Sequence, residues 1–251
     1  MIPDINDKVV LITGGGGGIG SRIALSFAEH GAKVVIASRS LEKLTPIANE
    51  IRKIGEYCLP LACDVTDPVQ VNQMTSQVVN ELDRLDVLIN NAGGAMIIKP
   101  PEEISPEEWR AGIALNLDSV FFCSQAAAKS MAKQRGGRII NISSVAGIKA
   151  SPAFVHYGAA KAGVINLTKS LALLWGKHNI NINCIAPGLT ATEGVAQWLP
   201  KKIKDDGSPV PLLEYPPNPE NVAELAVFLA SNASQHISGE LFPIRALNEL
   251  A

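Results

Sequence analysis

The 251-residue chain carries 22 basic and 24 acidic residues, a formal net charge of −2, and is 47% hydrophobic. That is enough apolar material for one sizeable core, with no excess of positive charge to mark a nucleic-acid or anionic-membrane partner. No segment reaches the ~20 apolar residues of a membrane span, and the opening "MIPDINDKVVLITGG" has no basic stretch leading into a long apolar run, so a cytoplasmic protein is expected. Cys58, Cys63, Cys123 and Cys184 show neither CxxC nor Cys/His spacing, so neither a metal site nor a disulfide framework is expected.

In chain order, Val- and Ile-rich runs at 8–13, 33–38, 57–64, 85–90, 138–143, 181–186 and 239–244 read as strands. Between them, amphipathic stretches at 19–30, 41–54, 68–82, 106–134, 155–176 and 219–231 read as helices. The fourth helix opens on "SPEEW", where Ser105 suits the cap, Pro106 the first turn and Glu108 a capping box. Repeated βα alternation predicts an α/β fold with a doubly wound, seven-stranded parallel sheet and helices on both faces. No linker or composition shift divides residues 1–251, so a single domain is expected.

The first βα junction, "KVVLITGGGGGIGSRIALSFAEHGAKVVIAS", is strand, glycine run, helix and strand. Glycines there let the backbone approach a pyrophosphate, and the free N–H groups of the helix start favour the anion. Because Gly14 to Gly18 are consecutive, two registers fit: GxGxxG on Gly15, Gly17 and Gly20, and TGxxxGxG on Thr13, Gly14, Gly18 and Gly20. Flanking strands on both sides make this a dinucleotide fingerprint. At the end of the second strand, Ser38 stands where an acidic residue would select NAD, and Arg39 beside it offers a planar, permanently charged fork to a phosphate. NADP(H) is therefore favoured and NAD(H) possible, although the glycine run itself carries no basic residue.

These residues are similar to a known family. The motifs "TGGGGGIG" (13–20), "CDV" (63–65), "NNAG" (90–93), "LNLDS" (115–119), "ISS" (142–144), "YGAAK" (157–161) and "APGLTAT" (186–192), in this order, resemble the short-chain dehydrogenase/reductase family over essentially the whole chain. The resemblance implies a single-domain Rossmann fold. It places Gly14, Gly17, Gly18, Ile19 and Gly20 at the phosphates, Ser38 and Arg39 at the ribose, and Asp64 and Val65 at the adenine. It puts Asn90, Asn91, Ala92 and Gly93 along the nucleotide cleft, and Pro187, Gly188, Thr190 and Thr192 beside the nicotinamide.

Tyr157 and Lys161 stand four apart on a small-residue helix and so share a face. A nearby ammonium favours the phenolate, which predicts a Tyr157 pKa below its ordinary value of ~10 and fits a general acid/base. The family pattern adds three roles. Lys161 would hydrogen-bond the nicotinamide ribose, Ser144, thirteen residues before Tyr157, would bind the substrate oxygen, and Asn116 would hold a water linking Lys161 to solvent. Ser143 is then expected to turn toward backbone groups and His156 to pack or touch substrate. Glu102, Glu103, Glu107 and Glu108 read as a solvated cluster.

The stretch 189–219 falls where the family has a variable substrate lid, with Val195, Trp198 and Leu199 as an apolar wall and Lys201, Lys202 and Lys204 read as solvated charges in preference to contacts for an acidic substrate such as a CoA thioester. The substrate expected is a small, largely apolar carbonyl or alcohol. A homotetramer, or a homodimer, is implied by the resemblance. Two stretches depart from the family: "PLLEYPPNPENVAEL" before the last helix, and "SGELFPIRALNELA", which lacks the usual Asp-Gly-Gly turn. Three functions compete: a carbonyl reductase or alcohol dehydrogenase, an enoyl- or dienoyl-thioester reductase, and a non-catalytic dinucleotide sensor or scaffold. The intact Ser and Tyr–Lys set favours the first.

Overall fold

The computed structural model describes residues 4–247. Seven strands, β1 (Val9–Thr13), β2 (Lys33–Ser38), β3 (Cys58–Ala62), β4 (Val87–Asn90), β5 (Gly137–Ile142), β6 (Ile180–Pro187) and β7 (Leu241–Ile244), form one sheet in the order β3-β2-β1-β4-β5-β6-β7. Every neighbouring pair is parallel. The order reverses between β1 and β4, which opens a crevice beyond the carboxyl ends of these strands.

Alternation along β1 feeds two cores. Val10 and Ile12 pack with Ile23 and Phe27 of α1 (Gly18–Glu29), Leu44 and Ile51 of α2 (Leu41–Lys53) and Val222 and Ala226 of α7 (Pro219–Ala230). Val9 and Leu11 pack on the other face with Met74 and Val78 of α3 (Pro68–Leu82), Met131 of α5 (Ser119–Lys133) and Leu171 of α6 (Val155–Trp175). Burial on both faces is why these strands read as unbroken apolar runs.

The run expected to be one helix over 106–134 is instead two. Helix α4 (Pro106–Ile113) starts with the predicted capping box: Glu108 N donates to Ser105 Oγ at 3.1 Å and Ser105 N to Glu108 Oε2 at 2.9 Å. It then passes through a π-helical turn, Ala114–Asp118, into α5. At this turn the side-chain amide of Asn116 donates to Gly112 O, the carbonyl four residues back, at 3.0 Å. Strand β3 ends earlier than expected, since Asp64 Oδ1 accepts from Thr66 N at 3.0 Å and turns the chain away.

Helix α6 runs 21 residues without interruption. From β6 the chain crosses residues 188–217 as two short 3-10 segments, Glu193–Trp198 and Leu212–Glu214, with an isolated bridge between Ile203 and Pro209. This strap is pinned at both ends, by Gly188 N to Ile244 O at 2.8 Å and Ala191 N to Pro217 O at 2.9 Å. The atypical carboxyl-terminal stretch closes β7 at Ile244, and its residues 248–251 lie outside the described residues. Among the described residues no helix is long and apolar enough to cross a membrane.

Candidate active site

The glycine run adopts the TGxxxGxG register. Thr13 Oγ1 accepts from both Asn91 N and Ala92 N at 3.1 Å, fastening β1 to the loop after β4. Gly14 has φ +68°, and a Cβ there would come 3.0 Å from the Ala92 backbone, so the turn requires glycine. Gly20 packs against the Gly14 carbonyl so closely that a side chain would not fit. Helix α1 begins at Gly18 behind an N-cap, Gly17, that has no side chain to satisfy the first N–H groups.

Two adjoining cavities, of about 390 and 380 Å³, share Gly14, Gly17, Ala92 and Gly93 and form one cleft along the carboxyl ends of the strands. One end is lined by Ser38, Arg39, Asp64 and Val65. The other is lined by Ile19, Gly20, Asn91, Ser144, Tyr157, Lys161, Pro187, Gly188, Thr190 and Thr192. A side-chain-free loop in the middle, a cation at one end and hydrogen-bonding side chains at the other fit a dinucleotide. Gly18 lies behind the lining, at the start of α1, with Thr192 as the nearest neighbour of a Cβ built there.

Asn90 does not line the cleft. As the last residue of β4 it points inward, donating to Ser124 Oγ at 2.9 Å and Asn141 Oδ1 at 2.8 Å, and its neighbour Asn91 faces the cleft and donates to the Thr13 and Gly14 carbonyls at 3.1 Å. Strand alternation separates the two asparagines. Asp64, expected at the adenine, has Oδ1 occupied by Thr66 N and by Thr66 Oγ1 at 2.8 Å.

At the other end, the Lys161 ammonium donates to Ile142 O at 2.9 Å and lies 5.5 Å from the centre of the Tyr157 ring. Ser144 lines the same end of the cleft as Tyr157, and its Oγ accepts from Ala146 N at 3.2 Å. Ser143 turns the other way, donating to Lys161 O at 2.8 Å. Asn116 sits beneath, fully buried, its Oδ1 accepting from Gly94 N at 2.9 Å and its Nδ2 donating to Gly94 O at 3.1 Å. A Cβ on Gly93 would fall 2.7 Å from Asn116 Oδ1 and 3.1 Å from Lys161 Nζ, which places all three groups together.

Burial dominates the electrostatics. It pushes Lys161 down from 10.5 to about 8 and the Tyr157 phenol above its ordinary 10.0, with Ser144 only partly offsetting the rise. The lowered tyrosine expected from the sequence is thus reversed in the chain alone, because the loss of water around the phenol outweighs what its neighbours contribute. His156 is fully buried, with its ring against Gly112 and neither nitrogen hydrogen-bonded, and burial lowers its pKa. It does not line the cleft.

Outside those motifs the cleft also holds Gly94 at one end and Ala37, Lys43 and Met96 at the other. Of the proposed lid wall, Val195 reaches the cleft, whereas Trp198 is 57% exposed. Two of the lid lysines are paired, Lys201 with Asp205 at 3.9 Å and Lys204 with Glu214 at 3.6 Å.

Residues 8–203 match the family described as short chain dehydrogenase. The chain is 38% identical to the 3-oxoacyl-acyl-carrier-protein reductase FabG of Thermotoga maritima, over 96% of this chain and 97% of that one. It is 35% identical to the peroxisomal 2,4-dienoyl-CoA reductase of Mus musculus, over 94% and 82%. Among solved structures it superimposes on a 7 alpha-hydroxysteroid dehydrogenase complexed with NADH and 7-oxo glycochenodeoxycholic acid with a TM-score of 0.86, at 29% identity, covering 97% of this chain and 94% of that one.

Proposed function

The chain belongs to the short-chain dehydrogenase/reductase family of oxidoreductases, and from that premise we propose that it interconverts a small, largely apolar carbonyl compound and its secondary alcohol, with NADP(H) preferred to NAD(H). The observation that carries this reading is that Ser144, Tyr157 and Lys161 line one end of the cleft together, with the Lys161 ammonium 5.5 Å from the centre of the Tyr157 ring. Supporting the cofactor preference are Ser38 in the place of an acid and Arg39 next to it at the ribose end. The hydroxysteroid dehydrogenase structure holds NADH, so the preference rests on these residues of this chain.

When bound, the dinucleotide supplies or accepts the hydride. Tyr157 donates its phenolic proton to the carbonyl oxygen during reduction. Ser144 Oγ hydrogen-bonds the same oxygen and stabilises the negative charge that develops there. Lys161, positively charged below about pH 8, favours the phenolate that Tyr157 becomes, and Ile142 O fixes its position. Asn116 clamps the Gly94 backbone under this pair. Residues 189–219 act as the lid, with Leu189 and Val195 toward the substrate. A homotetramer or homodimer is supported by exposed apolar side chains on α5 and α6: Leu173 is 87% and Leu174 61% exposed, and Phe121 also reaches the surface.

The test is a panel of ketones, aldehydes, 3-oxoacyl thioesters and secondary alcohols with both cofactors, followed at the nicotinamide absorbance. Tyr157→Phe is expected to lower turnover about 10³-fold; activity surviving in that variant would overturn the mechanism. The dienoyl-CoA reductase relative makes a conjugated thioester the second substrate to try, and its turnover in the absence of any carbonyl turnover would favour that reading instead. Tight cofactor binding without any turnover would favour a sensor.

A further inference from the structure

The sequence reading offers Arg39 alone for the extra phosphate of NADP(H); the structure brings a second basic residue, Lys43, into the lining of the same end of the cleft. Lys43 lies in the first turn of α2, four residues beyond Arg39, and lines the cleft end formed by Ser38, Arg39, Asp64 and Val65. Gly16 makes that approach possible. A Cβ on Gly16 would lie 3.1 Å from both the Cβ and the carbonyl oxygen of Lys43, so the first turn of α2 rests directly on the glycine loop. Ser38 Oγ donates to Ser40 O at 2.8 Å, which ties the turn between β2 and α2 from which both cations project.

The charge balance at this end is positive. Among the described residues no carboxylate forms an ion pair with Arg39 or Lys43. Asp64 is the one carboxylate in the lining, and its Oδ1 is already engaged by Thr66. A phosphate monoester carries a charge of roughly −2 at neutral pH and three acceptor oxygens, more than one guanidinium neutralises. A planar arginine fork and a flexible lysine point charge complement each other on such a group.

We propose that Lys43 is a second specificity-determining residue for the cofactor, binding the 2′-phosphate of NADP(H) together with Arg39. This rests on the NADP(H) preference proposed above, and the experiment separates the two. Isothermal titration of the full chain with 2′,5′-ADP and with 5′-AMP reads the phosphate directly, without catalysis. Wild type is expected to bind 2′,5′-ADP at least about tenfold more tightly than 5′-AMP, the ratio that one good charged contact supplies. Lys43→Gln is expected to weaken 2′,5′-ADP about fivefold, leave 5′-AMP within about twofold, and flatten the salt dependence of 2′,5′-ADP binding, with Lys43→Arg restoring all three. Lys43 is exposed, so the apo variants should melt with wild type. If wild type prefers 2′,5′-ADP and Lys43→Gln is unchanged, or weakens both fragments equally, the assignment of Lys43 is overturned while the cofactor preference stands. If wild type does not distinguish the fragments, both fall.

Discussion

Two long helical stretches reach the cleft by opposite means. Helix α6 is regular for 21 residues and presents Tyr157 and Lys161 one turn apart on the same face. The α4–α5 stretch is broken at Ala114–Asp118, and the break turns Asn116 onto the backbone of Gly94. A regular helix serves when two side chains need only share a face. An irregular turn is needed when one side chain must satisfy the backbone of a neighbouring loop and also its own i−4 carbonyl.

The largest effect expected tests what α6 does to Lys161. Its pKa falls from 10.5 to about 8 on burial, so between those values the unfolded chain holds a proton that the folded chain has released. Wild-type stability should therefore rise with pH across that window relative to Lys161→Met, by roughly 3 kcal/mol at its upper end given about 1.4 kcal/mol per pH unit. Below about pH 8 the two proteins should run parallel. Urea denaturation of both from about pH 7 to 10 reads the difference, and parallel behaviour throughout would show that α6 does not bury this ammonium as described.

Next in size is the pair of serines at the end of β5. Ser144→Ala should lower kcat about 10²-fold, equal to about 2.7 kcal/mol of barrier, with stability nearly unchanged. Ser143→Ala should do the reverse, keeping kcat within a few-fold and losing about 1 kcal/mol of stability, because its hydroxyl donates to the Lys161 carbonyl of α6. Equal kinetic effects would erase the distinction between a serine that faces the cleft and one that faces α6.

Asn116→Ala sharpens the other half of the comparison. It strips partners from Gly94 N, Gly94 O and Gly112 O, and about 2 kcal/mol of stability should be lost. Denaturation midpoints with a circular-dichroism check of helix content measure it. An unchanged midpoint would mean that the π turn is held by something other than this side chain.

Much of this architecture could be read before any coordinates. The seven strands and the glycine loop announce themselves through local rules, the apolar runs of a sheet buried on both faces and a glycine run set between strand and helix. The capping box of α4 was also visible, since Ser105 and Glu108 are three apart and act on each other. The failures have a common cause. Asn90 and Asn91 are adjacent and chemically identical, and which one faces the cleft depends on where β4 stops and on the partners Ser124 and Asn141, far away in the chain. The break at Asn116 could not be read because the Gly94 backbone that its side chain meets belongs to a loop 22 residues away in the chain.

By itself, then, the sequence determined the layered α/β fold, the family, and the pairing of Tyr157 with Lys161 along one helix face, since periodicity and short-range spacing are properties of neighbouring residues. The tertiary structure alone decided the TGxxxGxG register, the inward turn of Asn90, the upward shift of Tyr157, and the seating of Lys43 on Gly16. Each of these depends on burial or on contacts between elements distant in the chain, and desolvation cannot be assigned to a residue until the fold has placed its neighbours.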